Sequence, residues 1–167
     1  MTDQMYAKLQ TPKPRRDRGI AIPLAVCGVI CAFVLGLFLY AGWYLQHFRA
    51  FVRAFSDSTV YAYTHGGVQA RAGEQRYRIT GDTVYLPYTQ LTGTPGKLYR
   101  ASPDAAPDLC LEYGDGAVLL LWAVELEPGA AHSTGIFWQF TAADGTVWRY
   151  DTDAFPADRL APLWAAP

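Results

Sequence analysis

The chain has 167 residues, 51% of them hydrophobic, and a formal net charge of −1, and the part beyond its one long apolar run is too short for two domains. Its 14 Lys and Arg against 15 Asp and Glu exclude the strongly basic balance of a nucleic-acid binder, and no nucleic-acid partner is expected. Three cysteines, two of them inside one apolar run, exclude a disulfide framework.

Residues 1–18 are polar, with Pro12 and Pro14 inside TPKPRRDR and no helical periodicity, and read as a disordered cytoplasmic tail. Gly19–Leu45 then runs for 27 residues without Asp, Glu, Lys, Arg or His. At 1.5 Å per residue, about 20 residues already cross a hydrocarbon core of roughly 30 Å, so the run reads as a transmembrane helix. Pro23 falls in its first turn, where a missing N–H costs nothing. Tyr40, Trp43 and Tyr44 gather at the far end, as rings at the headgroup level do.

Lys8, Lys13, Arg15, Arg16 and Arg18 precede the span against only Asp3 and Asp17, whereas Arg49 and Arg53 alone follow it closely, with His47 mostly neutral. That bias holds the N-terminus in the cytoplasm and sends the C-terminal part outside, a single-pass arrangement in the cell membrane. An uncleaved signal-anchor is expected, because Leu39-Tyr40-Ala41 puts a large residue where a processing site needs a small one. Leu24-Ala25-Val26-Cys27 only loosely resembles a lipoprotein signal, since Val26 is too large before the cysteine. Within the span, Gly28, Ala32 and Gly36 have the four-residue spacing that lets two helices approach closely, a candidate dimer face against the alternative of ordinary span composition. The span has no ionisable residue, which argues against a transport path.

Beyond the span, Tyr44, Phe48, Phe51, Val52 and Phe55 recur at intervals that place them on one helical face, with His47, Arg49 and Arg53 turned away. A juxtamembrane amphipathic helix over 46–57 follows, stopped by Ser56-Asp57-Ser58. From 58 to 167 the period changes, and a single outer domain is expected, net acidic with nine Lys or Arg against thirteen Asp or Glu after the span. Thr59–Thr64 reads as a strand and Gly66-Gly67 as a turn. Gln75–Thr80 is a strand, Val84–Thr92 is ambiguous because of Pro87, Thr92–Lys97 is a turn, and Ala101–Asp108 is a loop.

The strongest β signal is Leu109–Tyr113 and Ala117–Glu125 around Gly114-Asp115-Gly116, which predicts a tight hairpin. Its second strand is apolar on both parities and should be central and covered on both faces, by the juxtamembrane helix or the segment around Leu91. Gly135–Thr141 and Thr146–Asp151 form a second hairpin, with Trp148 and Tyr150 as the inward pair. Phe155–Trp164 suits a short helix limited by Pro162. The fold class is therefore a single N-terminal transmembrane helix followed by a small α+β, mainly antiparallel β, extracytoplasmic domain. Five to seven strands and a meander are expected, with a small sandwich or open barrel as the alternative.

No motif carries chemistry. His47, His65 and His132 match no metal spacing, and Asp144, Asp151 and Asp153 lack a calcium-loop pattern. Cys110 has Asp108 and Glu112 as neighbours, which would raise a thiol pKa, and it reads as a buried small hydrophobe more readily than as a reactive or bridging thiol. His132-Ser133 lacks a nucleophile-elbow context, and the Gly66-Gly67 and Gly114–Gly116 clusters read as turns. Trp122, Trp138, Trp148, Tyr150 and Trp164 serve first to fill the core of a small domain, and Trp148 and Trp164 are the two candidates for exposed aromatic contacts. No catalytic, cofactor or metal residue is assigned, and a non-enzyme is expected. The expected function is a membrane-anchored interaction or accessory domain whose partners are the lipid bilayer and a second copy or another membrane protein. A ligand-sensing or cell-wall-binding module comes second, and a small hydrolase third.

Overall fold

In the computed structural model, residues 18–93, 96–99, 102–125, 134–152, 160, 162 and 163 are described. The tail expected over 1–18 therefore lies outside them except for Arg18, as do His132, Ser133, Asp153 and Trp164. One helix, α1 (Arg18–Thr64), opens the fold, and the chain divides into two units, Met1–Leu45 and Gln46–Pro167.

In the first unit the helix is apolar and long enough to span a membrane, and none of its most apolar stretch is covered by protein. Leu24, Phe33 and Phe38 are among its most exposed side chains. An uncovered helix that is hydrophobic all round has no stable place in water, and lipid tails are the surroundings that suit it. Tyr40 lies 6.1 Å from Trp43 and 6.5 Å from Tyr44, ring to ring.

In the second unit, α1 does not stop at Ser56-Asp57-Ser58, and Thr59–Thr64 is not a strand. The β-branched and aromatic residues there were outweighed by position. Phe51, Phe55, Thr59 and Ala62 recur at steps of four, four and three, and all four are fully buried. Ser58 and Thr59 enter the core with them, and the Thr59 hydroxyl donates to Phe55 O at 2.7 Å, so its burial leaves no donor unmet. The helix ends instead at Gly66-Gly67. Gly67 N–H donates to Ala62 O at 2.7 Å and Gly66 has φ +94°, the glycine-terminated cap of a helix C-terminus.

Seven strands follow: β1 (Val68–Ala72), β2 (Gln75–Ile79), β3 (Lys97–Leu98), β4 (Leu109–Glu112), β5 (Val118–Glu125), β6 (Thr134–Thr141) and β7 (Val147–Thr152). They form one antiparallel sheet in the order β2-β1-β4-β5-β6-β7-β3. The β4–β7 run is the expected meander, with β5 at the centre of the sheet, and the described strands form neither a sandwich nor a barrel. β1 matches no expected strand, and β3 begins at Lys97, the last residue of the expected turn Thr92–Lys97. The ambiguous stretch resolves into a 3-10 turn (Gly81–Tyr85) and the short helix α2 (Leu86–Thr92), with Pro87 in the first turn of α2.

The two central hairpins share one turn design. Tyr113 N–H donates to Ala117 O and Ala142 N–H to Thr146 O, each at 2.9 Å, enclosing Gly114-Asp115-Gly116 and Ala143-Asp144-Gly145. In each, the Asp side chain accepts from the backbone N–H two residues on, at 2.9 Å for Asp115 and 2.8 Å for Asp144. That bond holds the Asp144 carboxyl below its usual pKa.

The core lies between α1 and one face of the sheet. Leu119 and Leu121 of β5 register with Phe140 and Trp138 of β6, and Trp138 and Phe140 with Tyr150 and Trp148 of β7. Phe51 lies 4.6 Å from Trp138 and Phe55 4.8 Å from Phe140, ring to ring, and Phe55 also meets Tyr88 of α2 edge-on at 5.7 Å. Offset and edge contacts of this kind add about 0.5–1.5 kcal/mol beyond burial.

Candidate functional site

Alternation along the strands leaves a second face, on which α1 makes none of these contacts. Across it, one registered row reads Arg76, Arg71, Cys110, Leu120, Gln139 and Arg149 from β2 to β7. Its two halves differ. Toward β7, residues 102–108 lie over the sheet: Trp122 Nε1–H donates to Ala105 O at 2.8 Å, and Ser102 Oγ donates to Gln139 Oε1 at 2.6 Å. Arg149 Nε–H donates to the same Gln139 oxygen at 2.8 Å. The expected cover on the second face of β5 thus comes from a loop, and Val118 and Leu120 remain half-buried.

Toward β2 no described segment lies over the face, and Gln69, Arg71, Arg76 and Arg78 are exposed. A cleft of about 270 Å³ is lined by Gln69, Ala70, Arg71, Arg76 and Glu112. Arg71 and Arg76 stand directly opposite each other across the β1–β2 pair, and Arg78 is opposite Gln69. With the Gln69 amide oxygen turned to Arg78, it accepts from Nε at 2.7 Å and Nη2 at 2.5 Å, which fixes that guanidinium at the edge of the sheet. Three guanidinium groups against Glu112 make this corner basic, although the chain after the span is net acidic.

Cys110 stands next to Arg71 in the registered row. Its side chain is buried, and burial pushes its thiol pKa up, Glu112 adds to the shift, and Arg71 offsets part of it. Such a thiol is protonated near neutral pH and a poor nucleophile. Tyr113, under α1, is pushed far above the ordinary phenol range by burial first and by Asp115 second, with Thr59 opposing.

The other singled-out residues do not converge. Trp148, marked for exposed contact, is 5% exposed. It lies 6.0 Å from Phe140 and 6.2 Å from Phe51, ring to ring, and the demand of the core for large side chains placed it inside. Trp148 Nε1 and Trp138 Nε1 are buried and find no acceptor among the described residues. Gly28 and Gly36 in the first unit have nothing within 4 Å of an added Cβ, and Ala32 is exposed. His47 packs beside Trp148 at 6.2 Å and His65 stacks on Tyr61 at 4.0 Å, so each belongs to an aromatic contact. Among the described residues no three of His, Cys, Asp and Glu come together as a metal site.

The arginine corner was absent from the sequence reading. QARAGEQRYR carries alternating arginines on both sides of a Gly-Glu turn, and that pattern could have revealed them on one face had β1 been recognised. Comparison with protein families, curated proteins and solved structures returns no match, so the functional reading rests on this geometry alone.

Proposed function

We propose that this chain is a membrane-tethered, non-enzymatic interaction or accessory subunit. A single uncleaved helix holds it in the bilayer, with the basic residues before it in the cytoplasm and the β domain outside. The observation that carries the reading is the edge strand β2, five residues long and paired, among the described residues, with β1 alone. A row of unmet backbone donors and acceptors is a template for another chain. Val60, Tyr61 and Tyr63, exposed near the end of α1, add apolar surface of the kind enriched at contacts.

A second reading, a ligand-sensing or wall-binding module, draws on the cleft beside Arg71. That cleft is small and four of its five described lining residues are polar, with no aromatic ring among them, which suits an anion better than a stacked sugar.

Crosslinking in the membranes of the producing cell, followed by identification of what is joined to residues 46–167, tests the first reading. A reproducible membrane-protein adduct, or an adduct with a second copy, is the expected result. A chain recovered only as an uncrosslinked monomer refutes it. Protease added to intact cells should spare residues 1–18 and cut the β domain, and the reverse pattern refutes the orientation.

A further inference from the structure

The partner's chemistry can be drawn from β2 itself. Gly73-Glu74 is a two-residue loop between Ala72 and Gln75, with Gly73 at φ +58° in the first loop position. In such a hairpin the flanking residues are the hydrogen-bonded closing pair, and bonded and non-bonded pairs then alternate. Arg76 and Arg78 occupy the non-bonded positions toward β1, so their own N–H and C=O groups face the side of β2 on which no described strand lies. Tyr77, between them, points to the other face, where its hydroxyl donates to Leu163 O. The groups that could bond to an added strand therefore belong to the two residues whose side chains form the basic corner.

Among the described residues that corner carries more positive charge than negative. Like charges directly opposite on a strand pair are destabilising, and in a non-bonded pair the side chains come closest. Arg71 and Arg76 are such a pair, and Glu112 is the one acid in the described lining of the cleft. A second copy of β2 would set arginine against arginine, which disfavours self-pairing through this edge. A strand carrying carboxylates at alternate positions would meet arginine instead, in bidentate geometry.

We propose that β2 takes up, as an added strand, an extended acidic segment of a partner protein, with carboxylates two residues apart opposite Arg76 and Arg78. This rests on the tethered-interaction reading above and names the chemistry of its partner. Main-chain bonds supply affinity and the arginines select the sequence.

The test uses the full chain in lipid nanodiscs and a ten-residue peptide of alternating Thr and Glu. Its controls are the Thr/Lys counterpart, the Thr/Glu peptide N-methylated at its glutamates, and inorganic phosphate. The acidic peptide should bind and slow amide hydrogen exchange at Arg76 and Arg78. Both control peptides should bind at least about tenfold more weakly, since one loses the charge pairing and the other the main-chain bonds. The double variant Arg76→Glu/Arg78→Glu should exchange its preference to the basic peptide, and it should stay folded because Arg71 then faces a carboxylate.

No binding, binding that leaves those two amides unprotected, or equal binding by the double variant overturns the proposal. Displacement by phosphate as effective as by excess peptide also overturns it, making the cleft a small-anion site. A crosslinked partner seated away from β2 overturns this proposal and leaves the tethered-interaction reading standing. An uncrosslinked monomer that still binds the peptide does the opposite.

Discussion

The two parts of α1 differ in composition and in how their apolar residues are placed, and they meet opposite fates. From Ile22 to Leu45 large side chains such as Leu24, Phe33 and Phe38 are exposed on every side of the helix, whereas from Gln46 to Thr64 Phe51, Phe55, Thr59 and Ala62 form one buried stripe beside exposed residues such as Arg49, Arg53 and Val60. What a helix packs against follows from how far its apolar surface extends around the axis: a stripe suits a protein face, and an unbroken apolar surface suits lipid.

The contrast should be widest for side-chain truncation. Phe51→Ala removes a fully buried ring that meets Trp138, Phe140 and Tyr150, and should cost about 3–5 kcal/mol in denaturant unfolding followed by tryptophan fluorescence. Phe33→Ala, at a position 66% exposed in the first part, should leave that unfolding curve within about 0.5 kcal/mol. Equal effects at the two positions would break the comparison.

A charge reverses the sensitivity. Leu35→Arg should disfavour membrane insertion by about 3 kcal/mol, read as the fraction retained after an alkaline carbonate wash. Arg49 and Arg53, exposed on the second part, already carry charge on the polar side of the stripe. Full retention of Leu35→Arg would argue that protein, not lipid, covers the first part.

The end of the helix offers a smaller test. A Cβ on Gly67 would stand 2.1 Å from Ile79 O, and its φ of +100° is one that other residues resist. Gly67→Ala should therefore destabilise by more than about 1 kcal/mol in the same unfolding experiment, whereas Gly42→Ala, with open space around it, should not.

The smallest effect is a pH slope. The folded Tyr113 phenol is raised far above the unfolded value of about 10, so the folded state keeps a proton that the unfolded state releases. Its contribution is intact below pH 10 and is lost as pH rises beyond that, at no more than about 1.4 kcal/mol per unit. Tyr113→Phe should flatten the alkaline limb of stability against pH. An unchanged limb would mean that Tyr113 is not closed over by Phe55 and Thr59 of α1.

How much could be read in advance differs by segment for physical reasons. The Asp-Gly turns and the two hairpins they close were legible, because turn chemistry is local and β-branched and aromatic runs flank it. Thr59–Thr64 misled for the same reason. Its local preference is for a strand, and only the sheet beneath Phe55, Thr59 and Ala62 made a helix the better solution. Trp148 was read both as an inward residue and as a candidate for exposure, and registry with Phe140 decided for the interior. The arginine corner could not be seen from spacing, since it exists only when β1, β2 and β4 lie side by side.

By itself, the order of amino acids determined that one segment is too long and too apolar for water, that a stripe follows it, and that paired turns close an antiparallel meander. These depend on residues within a few positions of one another, where backbone sterics and helical or strand period act directly. Only the tertiary structure decided where α1 stops, which face of β5 it covers, and which side chains meet at the β2 edge. Those outcomes depend on contacts between residues far apart in the chain, whose energies exceed the weak local preferences they override.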